Sequence, residues 1–435
     1  MKIFKIEKNL IREKIVLHFF NIKITLSSKK NKRIKINKKD KEQYIQYVLN
    51  QQLDKSHFVP FEEYDCCNDK NSTKIIAMYL PQFHDFPENI QWFGRGFTEW
   101  SNTSKTVPQY AGHYQPHIPI DVGYYSLSNT DVYKRQIELA KKYGIYGFCF
   151  YYYWYSGAKI MEKPIQAILN DKSLDFPFFL FWANEDWTRL WGGDGSTEIL
   201  HKQEILEGDT QKFMNDILPY MKDDRYIKIL NKPLLIIYDP QKYPHEVYIE
   251  FVKQIRNIAK DNGFEDLYIL TTSWRVQQSE MNEKDYVKKY MLDGIFEFYP
   301  QGMHLICEQK PEKIINPQFR GTCFDISKYI KNKTYLYEYS ANLFKGCCPN
   351  WDNTPRKCYS HTFVYQNTPA DYKSWLKGII NWTQKNKRKE EQFVFVNAWN
   401  EWAEGAHLEP DQKYGYAYLQ ATKEALEETS NLKSN

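Results

Sequence analysis

The 435-residue chain has no run of about 20 consecutive apolar residues, the length a membrane-spanning helix needs. Its one early apolar stretch, residues 15–26 (IVLHFFNIKITL), is broken by His18, Asn21 and Lys23 and has no clear small-residue cleavage site, so no secretory signal is expected. Metal spacings are missing as well: there is no CxxC, and the ten histidines form no HExxH-type cluster. No metal and no cofactor are expected. The eight cysteines include the adjacent pairs Cys66-Cys67 and Cys347-Cys348, with Cys149 inside an apolar run. They read as reduced, structural thiols, which favours a cytoplasmic setting, a structural disulfide or two being the alternative. No glycine-rich GxGxxG follows the first candidate strand, and no DxD motif sits in a Rossmann-like context. The net charge of +5 is not spread over the chain. Residues 1–43 hold about fourteen Lys/Arg against about four acidic residues, which leaves the remainder mildly acidic. A nucleic-acid partner, which calls for basic groups across a folded surface, is therefore not expected.

Aromatic residues, by contrast, are plentiful: 34 Tyr, 26 Phe and 12 Trp, enough to build a core and still line a cleft. The most informative stretch is FVFVNAWNEWAE, residues 393–404, where an apolar run ends in Trp399, Asn400, Glu401, Trp402 and Glu404. Two carboxylates three residues apart suit acid/base chemistry, and carboxylate pairs do the proton work in most glycosidases. Flat indole faces pack against the apolar faces of sugars. The competing reading is an ordinary helix start, where acidic residues are favoured by the dipole.

Three regions follow from composition: a basic amphipathic arm (1–43), a linker (44–73) and a folded domain (74–430). Interleaved apolar and basic residues in the arm fit either a peripheral contact with an anionic membrane at the inner face of the cell membrane or a soluble tail. In the folded domain eight apolar runs read as strands: 75–80, 145–152, 177–183, 233–238, 267–272, 294–298, 343–348 and 393–398. Helix-period segments lie between most of them, at 129–143, 163–171, 211–221, 245–262, 283–290 and 370–384, and a last one follows at 414–428. This alternation predicts an α/β fold, a (β/α)8 TIM-type barrel with long βα loops, ahead of a doubly wound sheet. Barrel enzymes place their chemistry at the C-terminal strand ends. Here those ends carry Gln82 and His84, Trp154, the WANEDW segment 182–187, Asp239, Glu297, Trp351 to Asn353, and the 399–404 cluster.

The motifs AMYLPQFH (77–84), WFGRGFTEW (92–100), YGIYGFCFYYYW (143–154), WANEDWTRLW (182–191), NKPLLIIYDP (231–240), NWDNTPR (350–356) and NAWNEWAEGAHLEPD (397–411) run in order along the chain. Through them, residues 75–426 resemble the WbsX-type, glycoside hydrolase family 99-like domain proteins of bacterial surface-polysaccharide gene clusters. The resemblance implies a (β/α)8 barrel acting on α-linked mannosides with retention, in lipopolysaccharide O-antigen or other surface-polysaccharide biosynthesis. It maps the two glutamates of the family's NEWxEG motif onto Glu401 and Glu404. In the family the first takes the proton of the sugar 2-hydroxyl, whose oxygen attacks the anomeric carbon to give a 1,2-anhydro sugar. The second protonates the leaving oxygen. That division implies a raised pKa for Glu404 and a charged Glu401. The residue before the second glutamate is Ala403, where the characterised mannosidases often carry His, which detaches the sugar's identity from the resemblance.

Candidate substrate contacts are Tyr79, His84, Glu99, Trp100, Trp154, Trp182, Asn184, Glu185, Trp187, Glu297, Trp351, Asp352, Trp399 and Asn400. Several have a structural alternative. Glu99 could pair with Arg95 or Lys105, Glu297 could cap the barrel rim, and Trp154 and Trp399 could pack the barrel. Arg189 is expected to order its loop, and 351–353, close to Arg356, to close over substrate. His84 and His407 read as hydrogen-bonding groups. The expected partner is a glycan or polysaccharide. Two further functions compete: a nucleotide-sugar-dependent glycosyltransferase at the membrane surface, and a catalytically silent glycan-binding protein.

Overall fold

The computed structural model describes residues 4–9, 14–19, 22–27, 38–51, 54–63, 73–192, 197–301, 307–309, 311, 313–316, 318–357 and 360–431. All eight apolar runs are strands: β1 (Lys74–Tyr79), β2 (Ile145–Tyr155), β3 (Phe178–Trp182), β4 (Lys232–Ile237), β5 (Tyr268–Thr272), β6 (Gly294–Phe296), β7 and β8 (Phe393–Val396). The seventh is split into Leu343–Phe344, which pairs with β6, and Gly346–Cys347, which pairs with β8. Every neighbouring pair is parallel, and β8 returns to β1, so the strands form a barrel that is closed except at the break in β7. The break in β7 falls at Lys345, whose ammonium reaches Glu297 Oε1 at 2.9 Å and the Tyr335 carbonyl at 2.7 Å. Gly346 N then donates to the other Glu297 oxygen at 3.0 Å.

A helix of the outer layer follows each strand, with shorter helices in some of the loops: α1 (Thr130–Lys142), α2 (Lys163–Asn170), α3 (Asp209–Met221), α4 (His245–Asp261), α5 (Glu283–Lys289), α6 (Ser327–Lys331), α7 (Pro369–Asn386) and α8 (Ala417–Asn431). In α1 the buried face is Val132, Tyr133, Gln136, Ile137 and Ala140, the i, i+4, i+8 stripe of an amphipathic helix. Asn129 caps it by accepting from Asp131 N, and Lys141 and Lys142 lie in the last turn, opposite in sign to the helix dipole there. Rings from different strands fill the barrel: Phe395 of β8 lies 5.0 Å from Phe296 of β6 and 6.2 Å from Phe344 of β7, centroid to centroid. The interior is thus a packed core.

Two smaller structures complete the chain. A sheet of Cys307–Gln309, Arg320–Asp325, Ser360–Tyr365 and Trp351–Asp352, in that order, is built from the insertions after β6 and β7 and roofs the C-terminal end of the barrel. Ahead of the barrel, Phe4–Asn9, Lys14–Phe19 and Ile22–Ser27 form an antiparallel sheet, and a helix spans Lys38–Gln51. That helix crosses residue 43, where composition had drawn the end of the arm. It is held to the barrel loops by Tyr44 Oη donating to the Pro108 carbonyl (3.4 Å) and Tyr47 Oη to the His113 carbonyl (3.0 Å). Among the described residues no helix is long and apolar enough to cross a membrane. Cys149, Cys347 and Cys348 are free and buried, and Cys323 is buried; Cys66 and Cys67 lie outside the described residues.

Candidate active site

The strand ends open into a cavity of about 590 Å³ to which every barrel strand contributes, through its last residues or the loop that follows. After β8 the chain makes a two-residue hairpin, Asn400–Glu401 against Ala406–His407, closed by a single helical turn at Trp402–Glu404. Gly405 has φ +62°, a left-handed conformation, and a Cβ there would lie 3.0 Å from Asp352 Cβ; only glycine suits this corner. The hairpin brings Glu401 and Glu404 to the cavity wall.

Between them sits Arg356, which follows the roof strand Trp351–Asp352. Its Nε donates to Glu99 Oε1 (2.7 Å), Nη1 to Glu404 Oε1 (2.5 Å) and Nη2 to Glu401 Oε2 (3.1 Å). One buried guanidinium therefore faces three carboxyl groups. Burial pushes the Glu401 carboxyl well above the usual range, the neighbouring Glu404 adds to the rise, and Arg356 opposes it. Burial also raises Glu404, against the pull of Arg356. The expected rise of Glu404 is joined by a rise of Glu401, with burial the first cause of both. One cation cannot balance three anions out of water, so the pair keeps a proton and shares its titration. Two carboxyls with one proton between them can give a proton to one oxygen and take one from another.

A second buried carboxylate fixes the hairpin from behind. Glu409 Oε1 accepts from Gln136 Nε2 (2.6 Å) and Trp399 Nε1 (3.1 Å). Its Oε2 accepts from Trp402 Nε1 (2.6 Å) and Tyr125 Oη (2.9 Å). Both tryptophans of the motif are thereby tied down on either side of Glu401. Asn400 closes onto β1, accepting from Leu80 N (2.7 Å) and donating to Leu80 O (3.0 Å). Beneath Trp402 the His407 ring stacks at 3.8 Å. His407 Nδ1–H donates to the Glu409 carbonyl, so its Nε2 accepts from His117 Nδ1–H at 2.8 Å. Burial holds both imidazoles neutral: it lowers His117 to about 4 and His407 well below its ordinary value. His117, His407 and Asp411 are the described residues whose donor atoms cluster closely enough to hold a metal, within 4.8 Å of one another. In this structure the two rings satisfy each other directly.

Of the candidate contacts, Glu185, Trp187, Trp351, Glu401 and Glu404 line the cavity. Glu99 stands one layer back, bonded to Arg356 rather than to Arg95 or Lys105; Lys105 instead reaches Asn102 Oδ1. The other candidates are not among the lining residues and have different partners. Tyr79 donates to Gln136 Oε1 (2.7 Å) and Trp100 to the Tyr125 carbonyl (2.7 Å). Trp154 donates to Asp216 (2.9 Å), and Trp182 packs on Phe213 of α3. Asn184 bridges the Asp239 backbone, Glu297 pairs with Lys345, and Trp399 and Asn400 hold the hairpin as described. Asp352 accepts from His113 Nε2–H and Gln115 Nε2, both at 2.6 Å. His84 is buried near Phe86, and burial lowers its pKa to about 4. The cause is geometric: successive strand side chains point to opposite faces, so aromatic clusters at strand ends divide between the cavity and the helix layer. In YYYWY at the end of β2, Tyr151, Tyr153 and Tyr155 face the cavity, while Trp154 faces α3. Period-two counting would have found those three tyrosines. Arg356 and Trp274 lie in short helices, Tyr238 in a loop and Tyr365 in a roof strand, with no periodic signal to mark them.

Residues 75–422 match the family model described as Glycosyltransferase WbsX. The chain is 37% identical over 352 residues to the uncharacterized protein WxcX of Xanthomonas campestris pv. campestris, an alignment that covers 81% of this chain and 49% of WxcX. The chain thus spans about half the length of the curated relatives it matches. Among solved structures it is similar to a glycoside hydrolase-like protein, with 14% identity, a TM-score of 0.51, and coverage of 85% of this chain and 96% of the other. It is also similar to the GH99 endo-alpha-mannosidase from Bacteroides thetaiotaomicron, with 13% identity, a TM-score of 0.50, and coverage of 83% and 98%. At these identities the likeness is one of fold.

Proposed function

This chain belongs to the WbsX glycosyltransferase family, and we propose that it is a carbohydrate-active enzyme that cleaves or transfers α-linked, mannoside-like sugars with retention of configuration, in surface-polysaccharide biosynthesis. The observation that carries this reading is the buried pair Glu401 and Glu404, both bonded to Arg356 at the wall of an aromatic cavity. In the proposed reaction Glu401 takes the proton of the 2-hydroxyl. O2 then attacks the anomeric carbon as the glycosidic bond breaks, and Glu404 gives its proton to the leaving oxygen. The resulting 1,2-anhydro sugar is opened by water or a sugar hydroxyl, whose proton returns to Glu404 while O2 recovers its own from Glu401. Two inversions at one carbon leave the configuration retained. Hydrolysis and transfer differ only in which hydroxyl arrives second.

A glycan panel tests this, with the anomer of the first-formed product followed by NMR. Turnover without any nucleotide sugar, and an α product from an α substrate, are expected. An inverted product, or turnover that needs a nucleotide-sugar donor, would sink the reading.

The basic arm supports a peripheral contact with anionic membrane, at roughly 1 kcal/mol for each Lys or Arg near the surface. Removing residues 1–37 leaves the docked helix at 38–51 and its tyrosine anchors in place. Sedimentation with phosphatidylserine-containing vesicles should then weaken by tenfold or more, about 1.4 kcal/mol, with unchanged melting of the barrel. Equal sedimentation of both forms would make the arm a soluble tail.

A further inference from the structure

We propose that the roof of the cavity recognises an acylamino group on the glycan, a step that rests on the sugar-cleaving reading above. Phe324, Tyr365 and Trp351 stand opposite one another on three adjacent roof strands: Phe324 is in register with Tyr365, and Tyr365 with Trp351. Side chains so placed share one face of the sheet, and all three line the cavity. Trp351 is 8% exposed and Tyr365 2%. The indole Nε1 of Trp351 and the hydroxyl of Tyr365 are buried without a hydrogen-bond partner among the described residues.

Buried polar groups in folded proteins are nearly always bonded, and a neighbouring pair left open in a cavity calls for a ligand that completes it. Indole N–H is a donor only, so its partner must be an acceptor. An amide carbonyl has two lone pairs and no hydrogen of its own, so it accepts from both donors at once. Its methyl group then meets the apolar ring of Phe324, one strand further along the same row. A carboxylate would also accept twice, but its second charged oxygen would lie where the methyl group of the amide meets the apolar ring of Phe324. A sugar hydroxyl would bring a polar hydrogen to a row that ends in Phe324. Because the sugar under attack needs its 2-hydroxyl, the acylamino group belongs at another position of that sugar, or on its neighbour.

The test uses the full-length chain and an array of bacterial polysaccharide fragments, printed native, de-N-acetylated, and de-N-acetylated then re-acetylated. Wild type should bind the acetylated forms about tenfold more tightly than the de-N-acetylated one, as expected for leaving buried donors unmade. Tyr365→Phe keeps its ring and loses only the O–H, Trp351→Phe removes the N–H and leaves a smaller aromatic ring, and each should bring the ratio close to one. Equal binding of native and de-N-acetylated fragments, a preference for uronate-bearing or unsubstituted glycans, absence of binding to any acylated glycan, or a ratio that survives both substitutions would overturn the proposal. The two readings fail separately. If the ratio behaves as stated but Glu401→Gln and Glu404→Gln leave turnover untouched, the roof stands and the sugar-cleaving reading falls. If turnover runs equally well on glycans without acylamino groups, the roof falls and the cleavage reading stands.

Discussion

Glu401→Gln and Glu404→Gln should each cut turnover by about a thousandfold, the range in which a positioned acid or base contributes. Glutamine keeps the shape of the side chain and removes its proton chemistry. Neither change should harm the fold. Both carboxyls are buried beside like-charged neighbours, and removing one leaves Arg356 with two partners instead of three. Melting temperatures should therefore stay level or rise. The two variants should differ in what rescues them. A substrate with a good leaving group, such as a nitrophenyl glycoside, needs no proton from Glu404 and should recover much of the lost rate in Glu404→Gln. It should do nothing for Glu401→Gln, because activation of the 2-hydroxyl is still missing. If neither substitution costs at least about a hundredfold, the roles are wrong.

The pH profile of kcat/KM follows from the same pair. Activity requires one proton on the two carboxyls. It should fall at low pH as the second carboxyl gains a proton, and at high pH as the shared proton is lost. Since burial raises both groups, the active window should lie above the ordinary carboxylate range. The limbs belong to the pair rather than to either residue. A profile flat from pH 4 to 9 would show that the shared proton plays no part in the rate-limiting step.

Elements with a strong period were legible in the sequence. The eight strands appear as apolar runs because a barrel strand is covered on both faces, by the interior and by the helices. Those helices carry 3.6-residue stripes for the same reason. The exception in detail is β7, where Lys345 interrupts the strand; its charge is matched by Glu297, two barrel positions that only pairing between β6 and β7 brings together. The site was legible where local sequence made it. Glu401 and Glu404 are neighbours on one hairpin, so a short motif holds both. Arg356 meets them across about fifty residues, Glu99 across about two hundred and fifty, and the roof row needs strands from two separate insertions. No window on the sequence contains those contacts. Tryptophans drew attention as sugar platforms, yet Trp154, Trp182, Trp399 and Trp402 are buried and stand outside the cavity lining. Their large surfaces position the walls, and the tyrosines of β2 together with Trp187 and Trp351 form the face a sugar would meet.

Arg356 is where stability and chemistry meet, and Arg356→Met should expose both. Methionine fills part of the space but leaves Glu99, Glu401 and Glu404 without a cation. Removing one partner of a buried ion pair costs about 3–5 kcal/mol, because the remaining charges stay out of water. That cost should depend on pH, and its sign can be worked out. Glu401 and Glu404 already have folded-state pKa values above their unfolded ones, and Arg356 is the group that pulls both down. Without it they rise further. A carboxyl raised in the folded state stabilises the fold fully below its unfolded pKa and loses that contribution as pH climbs through the folded value. The variant should therefore lie near wild type at pH 5 and fall well below it at pH 8, by urea denaturation at the two pH values. Arg356→Lys restores a charge but has no planar fork to span three carboxyls, so it should recover part of the stability at pH 8 and little of the turnover. Equal stability of Arg356→Met and wild type at both pH values would mean that the carboxyls satisfy one another through shared protons, and that the guanidinium serves the substrate alone.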